Sequence, residues 1–399
     1  MTLPILYLKK HEERRLLAGH LWVFSNEVDT TRSPLASFEP GGQALIMAAG
    51  DKPLGMGYVN PGSLIAARLC DKNPNARLDR DWCALRLSQA LTLREKFFAT
   101  PHYRLAFGES DCLPGLVVDR YNDVLVVQLL SAGMERLRGV ICDALDELLN
   151  PTAILLKNDA HSRQLEGLPL TVETVKGSVP DEVEVPEGPG LYRTSLVSGQ
   201  KTGWFFDQRP NRLALLPLCA NARVLDVFCY VGALGVGAAL SGAKEVACVD
   251  SSRQALESVT ANARANNTAD TVTTIKGDAD AVLEDLAREG RRFDVISLDP
   301  PAFVKRKKDL EHALGAYHKV NKLASRLLAP GGLVQTASCS QHLEAWRFER
   351  LTARALSSGR AVQLLRRGGQ GPDHPIHPAM PETDYLKSLL FRVNASQYR

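Results

Sequence analysis

The sequence predicts an α/β chain: a Rossmann-like doubly wound sheet ending in a β-hairpin over residues 186–399, preceded by a small β-rich domain and a small α+β domain. Three observations predict it. Apolar runs of strand length alternate with helical patterns between residues 223 and 337, which implies a parallel sheet covered on both faces. Two further strand-like runs near the C-terminus are joined by a long loop, not by a helix. Residues 1–76 carry short alternating runs punctuated by glycine.

In chain order, the first segment has runs at Gln43 to Met47, Pro53 to Val59 and Ser63 to Leu69, with turns marked by Gly41-Gly42, Gly50-Asp51 and Asn60-Pro61-Gly62. The second, residues 77–185, opens with a helical pattern from Asp79 to Phe98. A strand at Tyr103 to Phe107, a hairpin of Leu116 to Asp119 with Val124 to Leu130, a helix from about Glu135 to Leu149 and a strand at Ala153 to Lys157 follow. A Pro/Glu/Gly-rich stretch, Asp181 to Gly190, reads as a turn or hairpin into the last domain. There the strands fall at Arg223 to Phe228, Glu245 to Val249, Val272 to Ile275, Phe293 to Leu298 and Leu333 to Ala337, then Ala361 to Arg366 and Leu386 to Arg392.

With 399 residues the chain can hold two or three cores, and 45% hydrophobic with 23% charged residues is the mix of a globular protein. Neither a bilayer-spanning apolar run nor a secretory signal is visible, so a cytoplasmic location is expected. The eight cysteines are scattered, without a Cys-x-x-Cys pair, which argues against zinc and, in a reducing compartment, against disulfides. A net charge of +3 neither demands nor excludes a nucleic-acid partner.

The chemistry gathers at strand ends, where doubly wound folds bind ligands. Asp226 closes the first strand, suited to a cationic group such as the amino group of methionine. Phe228, Tyr230 and Gly232 follow it, and the glycine lets backbone pass close to a ligand. The spacing is Gly-x-x-Gly-x-Gly at 232, 235 and 237, so the dinucleotide fingerprint is absent. Asp250 ends the second strand, able to accept both ribose hydroxyls of a nucleoside. Asp278 follows the third, within reach of an adenine amine, or only capping a helix. Three acids in this order point to S-adenosyl-L-methionine.

On these residues, with Asp299-Pro300-Pro301-Ala302-Phe303, the last domain resembles the class I methyltransferases. The whole chain resembles the bacterial large-subunit (23S) ribosomal RNA cytosine-C5 methyltransferase family. Gly19-His20-Leu21-Trp22-Val23-Phe24 resembles the start of that family's PUA domain, and Gly108 to Leu116 the opening of its central domain. Gly203-Trp204-Phe205-Phe206-Asp207-Gln208-Arg209 resembles the segment over its cofactor, which implies cofactor roles for Asp207 and Arg209. Where the family usually has Ser-Tyr-Thr-Gly, this chain has Cys229-Tyr230-Val231-Gly232. The resemblance implies an RNA-binding PUA-like domain over 1–76. It also implies 23S ribosomal RNA, or a large-subunit precursor, as partner. The sequence carries no signal of oligomeric state, and a homodimer is compatible with it.

Asp299 and Pro300 would press against cofactor and base on a rigid Pro-Pro loop. The alanine at 302 weakens any reading as an amino-methyltransferase motif, in which an aromatic follows the prolines directly. Cys339, between Ser338 and Ser340 at the end of the fifth parallel strand, is the candidate nucleophile. Carbon 5 of cytosine becomes nucleophilic once a thiolate adds to carbon 6. Such a thiol needs a partly exposed, electropositive place, and a helix starting near Gln341 would supply one. Asp299 would act near N3 and the exocyclic amine. Cys229 is the competing cysteine, expected to face the cofactor.

Lys305, Arg306, Lys307 and Lys308 suit phosphate contacts, and Lys9, Lys10, Arg14 and Arg15 form a weaker basic patch. His374 and His377 sit among prolines and read as a loop near the substrate, not a metal pair. Two rivals remain: methylation of a base amine or ribose hydroxyl, and a non-catalytic RNA-binding assembly factor.

Overall fold

A computed structural model describes residues 3–304, 309–357 and 359–394. The chain divides into two compact units: Met1–Val183 with Ser195–Phe206 and Pro372–Thr383, and Glu184–Thr194 with Asp207–Gly371 and Asp384–Arg399. The sequence segments 1–76 and 77–185 thus fall almost wholly in one unit, and two short later segments join them.

The first unit has two five-stranded sheets. One orders its strands Ile5–Tyr7, Gly42–Met47, Pro53–Val59, Ile65–Asp71 and Trp22–Phe24, the first pair parallel and the others antiparallel. The other runs Thr171–Gly177, Ala153–Asn158, Val124–Leu129, Leu116–Tyr121 and His102–Phe107. Helix Arg80–Phe97 begins where the Asp79 carboxylate accepts from the Trp82 amide at 3.2 Å. It shares a core with helix Arg138–Leu149 that includes Trp82, Leu87, Leu116, Leu125 and Ile141. The helix expected from Glu135 to Leu149 is two, Ala132–Arg136 and Arg138–Leu149, because Ser131 caps an earlier start through the Met134 amide. The short strands Ile5–Tyr7 and Trp22–Phe24 are three residues each, too brief for a visible period of two.

The second unit holds the hairpin Val183–Glu187 with Gly190–Thr194, and a seven-stranded sheet. Its spatial order is Val272–Lys276, Glu245–Asp250, Arg223–Val227, Phe293–Leu298, Leu328–Ser338, Lys387–Val393 and Val362–Gly368. The first five are parallel, Lys387–Val393 runs antiparallel to them, and the edge strand Val362–Gly368, antiparallel to Lys387–Val393, runs in the direction of the first five. This is the class I methyltransferase sheet. The order reverses between Arg223–Val227 and Phe293–Leu298, and ligands bind beyond the carboxyl ends at such a switch point. The core beneath contains Leu225, Val249, Ile296, Tyr317, Leu323, Phe348 and Phe391. No described helix is long and apolar enough to cross a membrane.

Candidate active site

The strand Arg223–Val227 buries Asp226, whose Oδ2 accepts from the Gly235 amide at 3.0 Å. Gly235 is required there: a Cβ would stand 2.3 Å from the Cys248 sulfur, far inside contact distance. Burial pushes the Asp226 carboxyl up to about 7; Asp299 and Asp250 add to the rise, while the Gly235 amide and the Arg212 guanidinium oppose it.

The loop after Asp226 is strained. Phe228 and Tyr230 take left-handed backbone, φ 66° and 49°, and Gly232 follows at φ 83°. Non-glycine residues in that region cost on the order of 1–3 kcal/mol each, a cost concentrated at ligand sites. Hydrogen bonds hold it. The Phe228 and Cys229 amides donate to the Val249 carbonyl at 2.9 and 3.1 Å. The Tyr230 amide donates to Asp250 Oδ2 at 3.1 Å, and the Ser252 amide to Asp250 Oδ1 at 2.8 Å. Each Asp250 oxygen keeps lone-pair capacity beyond these bonds. Asp278 is exposed and caps helix Ala279–Arg288, its Oδ1 accepting from Asp280 and Ala281 amides at 3.0 and 3.4 Å.

Residues 207–212 converge on the same strand ends. Gln208 Nε2 donates to Asp299 Oδ1 at 2.7 Å. Buried Asp207 accepts from the Tyr385 hydroxyl at 2.6 Å. Arg209 lies 3.4 Å from Glu187, and buried Arg212 donates to the same carboxylate at 2.7 Å. Asp207 and Asp299 both act on the Arg212 charge. Sequence reasoning missed Glu187, Gln208, Arg212 and Tyr385. Only the 203–209 motif pointed at this neighbourhood, and Glu187 lay in a stretch read as a turn or hairpin, which gave its carboxylate no role.

Pro300 is buried and Asp299 half-buried just past the strand Phe293–Leu298. Cys339 is half-buried just past the neighbouring strand, Leu328–Ser338, whose Thr336 pairs with Leu298. Tyr317 ties the two loops together. Its hydroxyl is 2.8 Å from Ser338 Oγ and 2.9 Å from Ser340 Oγ. Ser340 Oγ accepts from the Val304 amide at 3.2 Å, and the Tyr317 and Phe303 ring centres are 4.7 Å apart.

One expectation changes. The helix after Cys339 starts at Ala345, not near Gln341, because the Leu343 amide closes a turn on the Ser340 carbonyl at 3.1 Å. Cys339 therefore does not sit at a helix N-terminus. Cys229 is buried, and the neighbouring Cys248 thiol together with that burial pushes its own thiol well above the ordinary range. Lys305, Arg306, Lys307 and Lys308 lie outside the described residues. In the N-terminal patch, Arg15 pairs with Glu27 at 2.7 Å. His374 is buried 3.0 Å from Asp373 in the segment that joins the first unit. Among the described residues no group of three could hold a metal ion.

Residues 6–72 match the PUA-like domain family, and residues 211–353 the family described as Conserved hypothetical protein 95. The ribosomal RNA large subunit methyltransferase I of Tolumonas auensis is 38% identical over 395 residues, covering 97% of this chain and 99% of its own. That of Aeromonas hydrophila is 39% identical over 397 residues, with the same coverage. The chain belongs to the ribosomal RNA large subunit methyltransferase I family. In structure it resembles a SAM-dependent methyltransferase described as putative, from Streptococcus mutans, with TM-score 0.83 and 20% identity over 98% of this chain and all of that one. The structure described as SMU.776, a methyltransferase complexed with SAH, aligns with TM-score 0.84, 20% identity and the same coverage. At that identity the likeness concerns the fold.

Proposed function

We propose that this family member uses S-adenosylmethionine to form 5-methylcytosine in 23S ribosomal RNA through a covalent adduct of Cys339 with carbon 6. The observation that carries the reading is the placement of a half-buried thiol at the carboxyl end of one strand, beside Asp299 on the next, two strands from Asp226.

The site fits the cofactor. The Asp226 carboxyl resists ionisation because it is buried beside Asp299 and Asp250, and an ammonium group placed there relieves that penalty. Asp250 would take the ribose hydroxyls and Asp278 the adenine amine, and the left-handed turn at Phe228, Tyr230 and Gly232 would let backbone approach the cofactor. Pro300, Asp207 and Arg209 complete the wall. Bound S-adenosylmethionine supplies an electrophilic methyl group on sulfur.

The Cys339 thiolate adds to carbon 6 of cytosine, and the electron pair of the 5,6 double bond becomes available at carbon 5. With the cofactor bound, carbon 5 would take the methyl group as the sulfonium S–CH3 bond breaks and leaves a neutral thioether. Loss of its proton and elimination of the Cys339 thiolate restore the double bond and free the enzyme. Asp299, fixed by Gln208, steadies the base at N3 and its amine. Residues 1–76 act as an RNA-binding PUA-like domain, 77–185 as a central domain, and 186–399 as the methyltransferase domain. Lys305 to Lys308 contact phosphates.

The test is methylation of unmodified 23S ribosomal RNA with labelled cofactor, followed by mass spectrometry of fragments. Label in 5-methylcytosine is expected. Label confined to a base amine or a ribose hydroxyl overturns the proposal.

A further inference from the structure

Lys387 opens the last strand, Lys387–Val393, directly opposite Ser338 in the antiparallel ladder. Its side chain does not extend into solvent. Nζ donates to the Ser340 carbonyl at 2.9 Å and to the Tyr385 carbonyl at 2.9 Å. It therefore grips the residue just after Cys339, while Tyr317 grips the hydroxyls of Ser338 and Ser340 on either side. Both carbonyls are neutral, so neither bond cancels the ammonium charge.

A lysine in that position pays a desolvation penalty. Burial pushes Lys387 below its ordinary range, and the Asp384 and Cys339 charges act in the opposite direction. The groups that face this turn in the described residues include Tyr317, from helix Leu310–Leu327, and Asp384, three residues before Lys387. Partial burial of an ammonium disfavours its charge, and a neighbouring anion offsets that cost. The helix that follows Cys339 does not fill that role, since it begins six residues later at Ala345.

We infer that Lys387 is a positioning residue for Cys339, pinning the Ser340 carbonyl and holding a positive charge beside the nucleophilic thiolate. The inference rests on the assignment of Cys339 as nucleophile. It adds a source for the thiolate: the chain supplies a cation from the sheet's antiparallel strand, not from the dipole of the helix that follows Cys339.

The full-length protein is alkylated with iodoacetamide across pH 5.5–10, and modification at Cys339 is followed by peptide mass spectrometry, which separates it from the other cysteines. In the wild type the rate midpoint is expected below that of an ordinary thiol, about 8.5. Lys387→Gln keeps a donor for the carbonyls but removes the charge; its Cys339 rate at pH 7 is expected to fall about tenfold, one pH unit in the midpoint. Lys387→Arg is expected to restore the wild-type midpoint. A folded Lys387→Gln variant with an unmoved midpoint overturns the inference. If that variant does not fold, a wild-type midpoint at or above 8.5 overturns it by itself. Failure of the nucleophile assignment looks different: Cys339→Ala would then keep methylating RNA, whatever the alkylation profile.

Discussion

Cys229 and Cys339 each follow the carboxyl end of a parallel strand in the same sheet, yet their surroundings oppose each other. Cys229 is buried against Cys248, with Asp226 and Asp250 in electrostatic reach, and every one of those influences disfavours a thiolate. Cys339 is half-buried, framed by two serine hydroxyls and the Tyr317 hydroxyl, with a lysine holding the next carbonyl. Position at a strand end thus does not make a cysteine reactive. The first strand end is acidic, suited to a cation. Among the described residues, the fifth carries neutral hydroxyls and the Lys387 ammonium instead of carboxylates.

The largest effect that can break this comparison is on turnover. Cys339→Ala is expected to lower RNA methylation at least about 1,000-fold, the scale of losing a covalent nucleophile. Cys229→Ala should keep activity within a few-fold. Steady-state assays with labelled cofactor check both, and equal losses would remove the distinction.

The acidic character of the first strand end is read through pH. The folded Asp226 carboxyl sits near 7 against an ordinary 3.8, so between those values the folded chain holds a proton that the unfolded chain has released. Stability from this group therefore falls as pH rises from about 4 through 7, by on the order of 2–4 kcal/mol in all. Asp226→Asn removes that component. Melting temperatures of the cofactor-free proteins at pH 4.5 and 8 should show a smaller decline for the variant, which should also bind cofactor more weakly by calorimetry. Parallel pH profiles would refute the assignment.

The smallest effect concerns the donors around Cys339. Tyr317→Phe keeps the ring against Phe303 but removes the hydroxyl shared by Ser338 and Ser340. About 1–2 kcal/mol of stability should be lost in denaturant titration. A several-fold drop in kcat with KM nearly unchanged is expected, because the nucleophile loses its fixed placement. An unaltered kcat would leave Tyr317 a packing residue only.

Much of the site could be read from the sequence. Asp226, Asp250, Asp278, Asp299 and Cys339 all follow apolar strand runs, and the structure places every one at or just past a strand's carboxyl end. Strand periodicity is local, so it survives in the sequence without knowledge of partners. The helix expected near Gln341 did not, because one hydrogen bond from Leu343 to Ser340 diverts the chain into a turn first.

What the sequence determined by itself was which residue types end which strands, and hence an α/β sheet with an acidic cofactor end and a thiol farther along. Tertiary structure alone decided what surrounds them. Arg212 meets Glu187 from 25 residues away, Gln208 meets Asp299 from 91, and Lys387 reaches the Ser340 carbonyl from 47. A charge acts on whatever folding brings near it, so the difference in surroundings between the buried Cys229 and the half-buried Cys339 resides in those long-range neighbours and in the water they exclude.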